Sequence, residues 1–257
     1  MSVKLIALAI LVLGLLAVAI AYCKGRNSRS YHLVSAVVSP VSRMLFRAPP
    51  GDIAVPYANS RGQLEPDWRW MHPESIGVDA GPDAYSVFAT AESVWFLNDQ
   101  GPMVYRHLAG DATVAASVRA RKHTDPSAAP DMEWQFAGIM LRDPAGGAWM
   151  ARENYVFNVI GFCCGELQIE TKSTVNGKSF IHSKKWEGGD ADLSIERNGA
   201  KFVLRARRDA SDPWQELVTY DRPDLPERLQ VGLIVYALSM GRGRHDLQAS
   251  FHNITIQ

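Results

Sequence analysis

The chain has 257 residues, 47% of them hydrophobic and 21% charged, with Lys plus Arg and Asp plus Glu both totalling 27. That length suits one large domain with a sizeable core, and the zero net charge argues for no nucleic-acid or anionic-lipid partner across the domain as a whole. The three cysteines, Cys23 and the adjacent Cys163 and Cys164, have neither metal-ligand spacing nor the pattern of a disulfide framework.

The first element is hydrophobic. Leu5 to Tyr22 carries no charged residue, and as a helix it rises about 27 Å, close to one hydrocarbon core. Residues 1–23 therefore read as a membrane anchor or signal segment, with the membrane contacted through residues 5–22. Ala19-Ile20-Ala21 has the A-x-A form of a signal-peptidase site, although only Lys4 precedes it. Tyr22 in front of Cys23 is too large for a lipoprotein signal. Lys24, Arg26 and Arg29 follow the segment, a bias that by itself places the domain in the cytoplasm; the A-x-A pattern argues for the opposite side, and the extracytoplasmic placement is the one taken here. Residues 24–60, rich in Ser, Arg and Pro, read as a tether.

From residue 61 to 257 the hydrophobic period is two, and turn signals recur about every eight to twelve residues, as in a two-sheet antiparallel sandwich. Phe136 to Leu141 and Gln230 to Leu238 are apolar on both faces and are expected as central strands. Asn176-Gly177 joins the strand from Glu166 to that from Lys178, a less amphipathic hairpin expected near an edge. Asn198-Gly199 predicts a type I′ turn in which Ile195 faces Phe202, Leu193 faces Leu204 and Glu196 faces Lys201. The closing run breaks phase between Phe251 and Ile254, which predicts a bulge near His252 or Asn253. Cys163 and Cys164 are expected as two thiols, because successive strand residues point to opposite faces.

Several motifs, in order, resemble the concanavalin-A-like jelly-roll domains. They are Trp68 and Trp70, Trp95 with Gly101-Pro102 and Tyr105, Ala137 to Arg142, Leu193 to Arg208 with Trp214, Val231 to Val235, and Phe251. The chain is similar to a branch related to the accessory sandwich of β-xylosidases and to enolase-regulator-like proteins, over about residues 62–257. The resemblance implies two packed antiparallel sheets with a concave face that binds carbohydrate in many relatives. It implies no reaction.

Candidate chemistry is sparse. Glu166-Leu-Gln-Ile-Glu170 is similar to the E-x-D-x-E strand of laminarinase-type glycoside hydrolases, in which paired carboxylates act as nucleophile and acid/base. Gln168 stands where the central aspartate would be, so a solvated strand face is the favoured reading and hydrolysis the alternative. The seven histidines lack zinc-site spacing, no metal site is assigned, and no nucleophile elbow or phosphate loop is present. A calcium ion on Asp79 and Asp83, or on Asp190 and Asp192, is compatible with sandwiches of this type but has no EF-hand spacing behind it. Most of the seven tryptophans are expected in the core. Trp149 and Tyr155, flanking Arg152-Glu153-Asn154 and following Arg142, are the ligand candidates: the rings would stack on a sugar while Arg142 and Glu153 supply hydrogen bonds. The expected function is a membrane-tethered binding module for a glycan, or for an envelope protein if its role is purely structural.

Overall fold

The computed structural model describes residues 57–58, 64–65, 68–80, 85–147, 152–239 and 245–257. The expected anchor at Leu5 to Tyr22 lies outside them, as do most of the tether and Trp149. Among the described residues no helix is long and apolar enough to cross a membrane.

A short ladder of β1 (Tyr57–Ala58) and β2 (Leu64–Glu65) precedes the sandwich. In chain order the remaining strands are β3 (Arg69–Met71), β4 (Ile76–Ala80), β5 (Tyr85–Ala89), β6 (Met103–Ala109), β7 (Ala112–Arg121), β8 (Gln135–Arg142), β9 (Tyr155–Cys163), β10 (Glu166–Val175), β11 (Lys178–Lys185), β12 (Asp190–Asn198), β13 (Lys201–Arg207), β14 (Gln215–Asp221), β15 (Arg228–Ala237) and β16 (Gln248–Ile256). They form two seven-stranded antiparallel sheets. The front sheet has the order β11-β10-β9-β8-β15-β6-β3 and the back sheet β14-β13-β12-β7-β16-β5-β4. β8 and β15 are central and β11 is an edge, as their patterning predicts.

The alternation along each strand sends one set of side chains between the sheets. Ile139, Leu141, Ile160, Val231 and Leu233 from the front meet Val114, Val118, Leu193, Ile195, Leu204 and Phe251 from the back, each worth about 1.5–3 kcal/mol on burial. Asn158 is a polar member of this layer. It is fully buried, and its amide donates to the backbone carbonyls of Ser194 (3.2 Å) and Arg205 (2.8 Å), tying β9 to β12 and β13 across the core.

The central strands of the front sheet are largely apolar on their other face too. Met103, Tyr105, Phe136, Met140, Tyr155, Phe157 and Tyr236 form a second cluster there with Trp95. This explains why the central strands lack a polar face. Trp95 comes from the connection between β5 and β6, and its ring meets Tyr155 edge-on at 5.6 Å between centroids.

The turns follow backbone chemistry, with one correction. Asn176-Gly177 closes β10 to β11 with both φ angles positive, 48° and 71°, as a type I′ turn requires. Cys164-Gly165 does the same between β9 and β10, with φ of 59° and 81°. In the third hairpin the central residues are Gly199-Ala200 rather than Asn198-Gly199, because Asn198 pairs with Lys201. Only Gly199 has positive φ there, 57°, the type II′ pattern with glycine first. Ile195 therefore faces Leu204 and Leu193 faces Ala206; the offset is an even number of residues, so every side chain keeps its expected face. At the C-terminus the β16–β7 register shifts between His252 and Thr255 and Asn253 has φ of 49°, the bulge that the phase break predicts.

Candidate functional site

Alternation on β8 and β9 puts Arg142 and Tyr155 directly opposite each other on the outer face of the front sheet. Both are buried. Tyr155 is 0% exposed, its ring stacked on Phe157 and covered by Trp95. Burial raises its phenol pKa, with the Thr174 hydroxyl opposing the shift. It has no open face to offer a sugar, because the same ring that suits stacking is consumed by the second cluster.

Arg142 and Glu153 are each 1% exposed. The guanidinium donates to Glu153 through Nε (2.8 Å to Oε2) and Nη2 (2.7 Å to Oε1), a two-point pairing. It also donates to the Gly146 carbonyl (2.5 Å) and Gln230 Oε1 (2.5 Å), and it lies 5.8 Å from the Trp95 ring centre. Gln100 Nε2 donates to Glu153 Oε1 at 2.6 Å, and the Glu153 amide donates to Asn98 Oδ1. The pair is thus engaged within the chain: it closes the base of the β8–β9 connection and ties it to the segment carrying Trp95.

The two glutamates of the hydrolase alternative are also apart in environment. Glu170 is buried, with its carboxylate 3.2 Å from Lys172 Nζ. Glu166 sits at the start of β10 with 42% of its side chain exposed, 3.6 Å from Lys185. Glycoside hydrolysis needs two carboxyl groups facing one open cleft, and here one is covered and neutralised by an ammonium group. Lys172, which pattern reading passes over, is the more informative residue. Its ammonium donates to the Trp95 carbonyl at 2.8 Å and lies 4.5 Å and 5.3 Å from the Phe157 and Phe96 ring centres. Burial lowers its pKa, and the Glu170 charge opposes that shift. The available signal was Glu170 and Lys172 alternating onto one face of a strand, opposite Val159 and Phe157 of β9.

Of the calcium candidates, Asp190 pairs with Arg121 at 2.6 Å and Asp192 with Arg207 at 2.9 Å; the Asp79 side chain and Asp83 lie outside the described residues. Glu133, Cys163 and Cys164 bring ligand-type atoms within 4.8 Å of one another. The Glu133 carboxylate is already used there, accepting the backbone N–H groups of Cys164 (2.6 Å) and Gly165 (2.9 Å) in the turn. Burial pushes the Cys163 thiol pKa well up, which works against the thiolate that a metal would need. The Cys163 and Cys164 sulfurs are 3.4 Å apart, beyond bonding distance, and the expectation of two thiols is corrected: Cys163 is free, whereas Cys164 is disulfide-bonded.

Neither a protein-family model nor a curated protein matches the chain. Solved structures do. A protein of unknown function from Saccharomyces cerevisiae aligns with a TM-score of 0.61 at 14% identity, over 74% of this chain and 96% of that one. A GH43 protein from Bacillus licheniformis aligns with a TM-score of 0.55 at 15% identity, over 74% of this chain and 36% of its own. A xylan β-1,4-xylosidase from Bacillus halodurans aligns with a TM-score of 0.55 at 14% identity, over 80% of this chain and 38% of its own. The chain therefore spans little more than a third of those two proteins. The alignments and the paired seven-stranded sheets define a concanavalin-A-like jelly-roll sandwich.

Proposed function

We propose that this protein is a membrane-tethered binding module whose ligand is carbohydrate. The observation that carries the reading is the sandwich itself, which matches a part of proteins whose names include a xylan β-1,4-xylosidase. Burial of Glu170 against Lys172 favours binding over hydrolysis by Glu166 and Glu170. In this reading Trp149 is the stacking residue, and Arg142 with Glu153 positions the β8–β9 connection that carries it. The hydrophobic Leu5 to Tyr22 supplies the tether, with the sandwich outside the cytoplasm, where glycans and envelope proteins are the accessible partners.

Titration calorimetry and a glycan array on the full chain in detergent micelles test this. Binding of a defined glycan that Trp149→Ala weakens about tenfold, the worth of one good stacking contact, is the expected result. A folded protein that binds no glycan at millimolar concentration overturns it and leaves a structural envelope role ahead. Robust glycan cleavage that Glu170→Gln abolishes would instead establish the hydrolase.

A further inference from the structure

We propose that Cys164, at the tip of the β9–β10 hairpin, forms a disulfide with Cys23, which joins the sandwich covalently to the residue that follows the hydrophobic segment. The bond itself is independent of the carbohydrate reading; its consequence for membrane placement rests on the tether reading above. The chain has three cysteines. Cys164 is disulfide-bonded and Cys163 is free, which leaves Cys23, outside the described residues, as the partner within the chain.

Cys164 is held by a braced turn. It is the first central residue between β9 and β10, with φ of 59°, a left-handed angle that a cysteine keeps only where its surroundings impose it. Its N–H and that of Gly165 donate to the two oxygens of Glu133 at 2.6 and 2.9 Å. The Trp134 N–H donates to the Phe162 carbonyl at 2.9 Å, so the β7–β8 connection supports the hairpin from the side. The Cys164 side chain is half-buried and packs with Trp134 against the second cluster, while Gly165 beside it is exposed. The tip of the hairpin is therefore both fixed and open to an approaching segment.

The neighbouring thiol is kept out of the bond. Adjacent Cα atoms lie about 3.8 Å apart, short of the roughly 4.4–6.8 Å that ordinary disulfides span. With its sulfur 3.4 Å from that of Cys164, a Cys163 thiolate would be in range to attack and expel Cys23. Burial, with the charges of Glu170 and Glu133, raises the Cys163 pKa and holds it as the unreactive thiol. Forming the bond takes two protons and two electrons from Cys23 and Cys164, and a disulfide of an oxidoreductase accepts them and becomes two thiols. Such bonds form and persist outside the cytoplasm, which opposes the cytoplasmic bias of Lys24, Arg26 and Arg29. Cys23 directly follows Tyr22, the last residue of the apolar run. The bond therefore holds the β9–β10 end of the front sheet at the bilayer surface, an environment that suits the half-buried Trp134.

Differential alkylation of the full chain tests the bond. The protein is recovered without reductant, denatured in N-ethylmaleimide and digested, then reduced and labelled with iodoacetamide. The expected result is N-ethylmaleimide on Cys163 alone, iodoacetamide label on Cys23 and Cys164, and a cross-linked peptide containing both before reduction. Cys163→Ser should keep that cross-link, and Cys23→Ser should lose it and expose Cys164 to N-ethylmaleimide. A Cys163–Cys164 bond, a dimer linked through Cys164, or N-ethylmaleimide on all three cysteines overturns the proposal. Trypsin on permeabilised membranes reads the placement, because cleavage after Lys24 leaves Cys23 on the hydrophobic segment. The wild-type sandwich should then stay with the membranes until dithiothreitol releases it, whereas trypsin alone should release the sandwich of Cys23→Ser. Release of the wild-type sandwich by trypsin alone overturns the covalent link to the membrane. A chain that is absent from membranes before trypsin, yet carries the cross-link, overturns the tether reading and leaves the disulfide standing.

Discussion

At the scale of single residues the chain separates charge that holds structure from charge that meets solvent. Arg142 and Glu153 are buried with their hydrogen bonds made inside the chain, so removing one partner strands the other. Arg142→Met is expected to cost about 3–5 kcal/mol in urea denaturation; a loss below about 1 kcal/mol would mean that Glu153 reaches water. Lys172 gives a pH signature. Its folded pKa lies below the ordinary value, so between the two values the unfolded chain binds more protons and stability rises with pH. Glu170→Gln removes the charge that opposes this depression, widening the window. The variant is expected to be less stable than the parent at pH 7, with the deficit narrowing as the pH is raised towards the ordinary lysine value. A deficit that stays constant in paired denaturation curves would show that Glu170 does not support the ammonium charge. The reference to the parent at each pH cancels Tyr155, whose raised pKa does not involve Glu170; the Glu170 charge helps to raise Cys163 and Tyr220, so the deficit is read below the ordinary thiol pKa, where neither of them titrates.

At the scale of elements, glycines mark where backbone geometry excludes a side chain, for two different reasons. Gly199 has φ of 57° with no atom within 4 Å of an added Cβ, so its constraint is conformational. Gly138 on β8 has ordinary backbone, yet a Cβ there would lie 2.2 Å from the Asn158 carbonyl oxygen of β9. Gly199→Val should therefore cost about 1 kcal/mol or more, because a β-branched residue resists positive φ. Gly138→Ala, with one added methyl group, should cost about 1–3 kcal/mol by forcing neighbouring strands apart. Calorimetric melting of both variants checks this; an unchanged midpoint for Gly199→Val would remove the turn assignment. The Gly199 hairpin also shows how far turn chemistry reads from sequence. Asn-Gly announces a two-residue turn, but whether glycine takes the first or the second central position is decided by how β12 and β13 settle on the core.

At the scale of the whole molecule, a hydrophobic segment long enough to span a bilayer precedes a sandwich closed on both faces of its front sheet. The retained-anchor expectation predicts that the full chain stays with membranes after alkaline carbonate extraction, whereas deletion of residues 1–23 releases it; extraction of the intact chain would point to a cleaved signal. Period-two patterning, the Asn176-Gly177 turn, the doubly apolar strands and the C-terminal phase break were enough to determine the class of fold, because alternation and turn geometry are local properties of a strand. The site was less legible. Tyr155 and Trp214 have similar aromatic chemistry, but one is sealed under Trp95 and the other stands beside a sheet edge. Likewise Glu166 and Glu170 alternate onto one face in sequence, yet Lys172 and the segment carrying Trp95 cover only the second. The sequence by itself determined which residues share a face; only the tertiary structure decided which faces are covered, because the covering residues come from distant segments that no local period records.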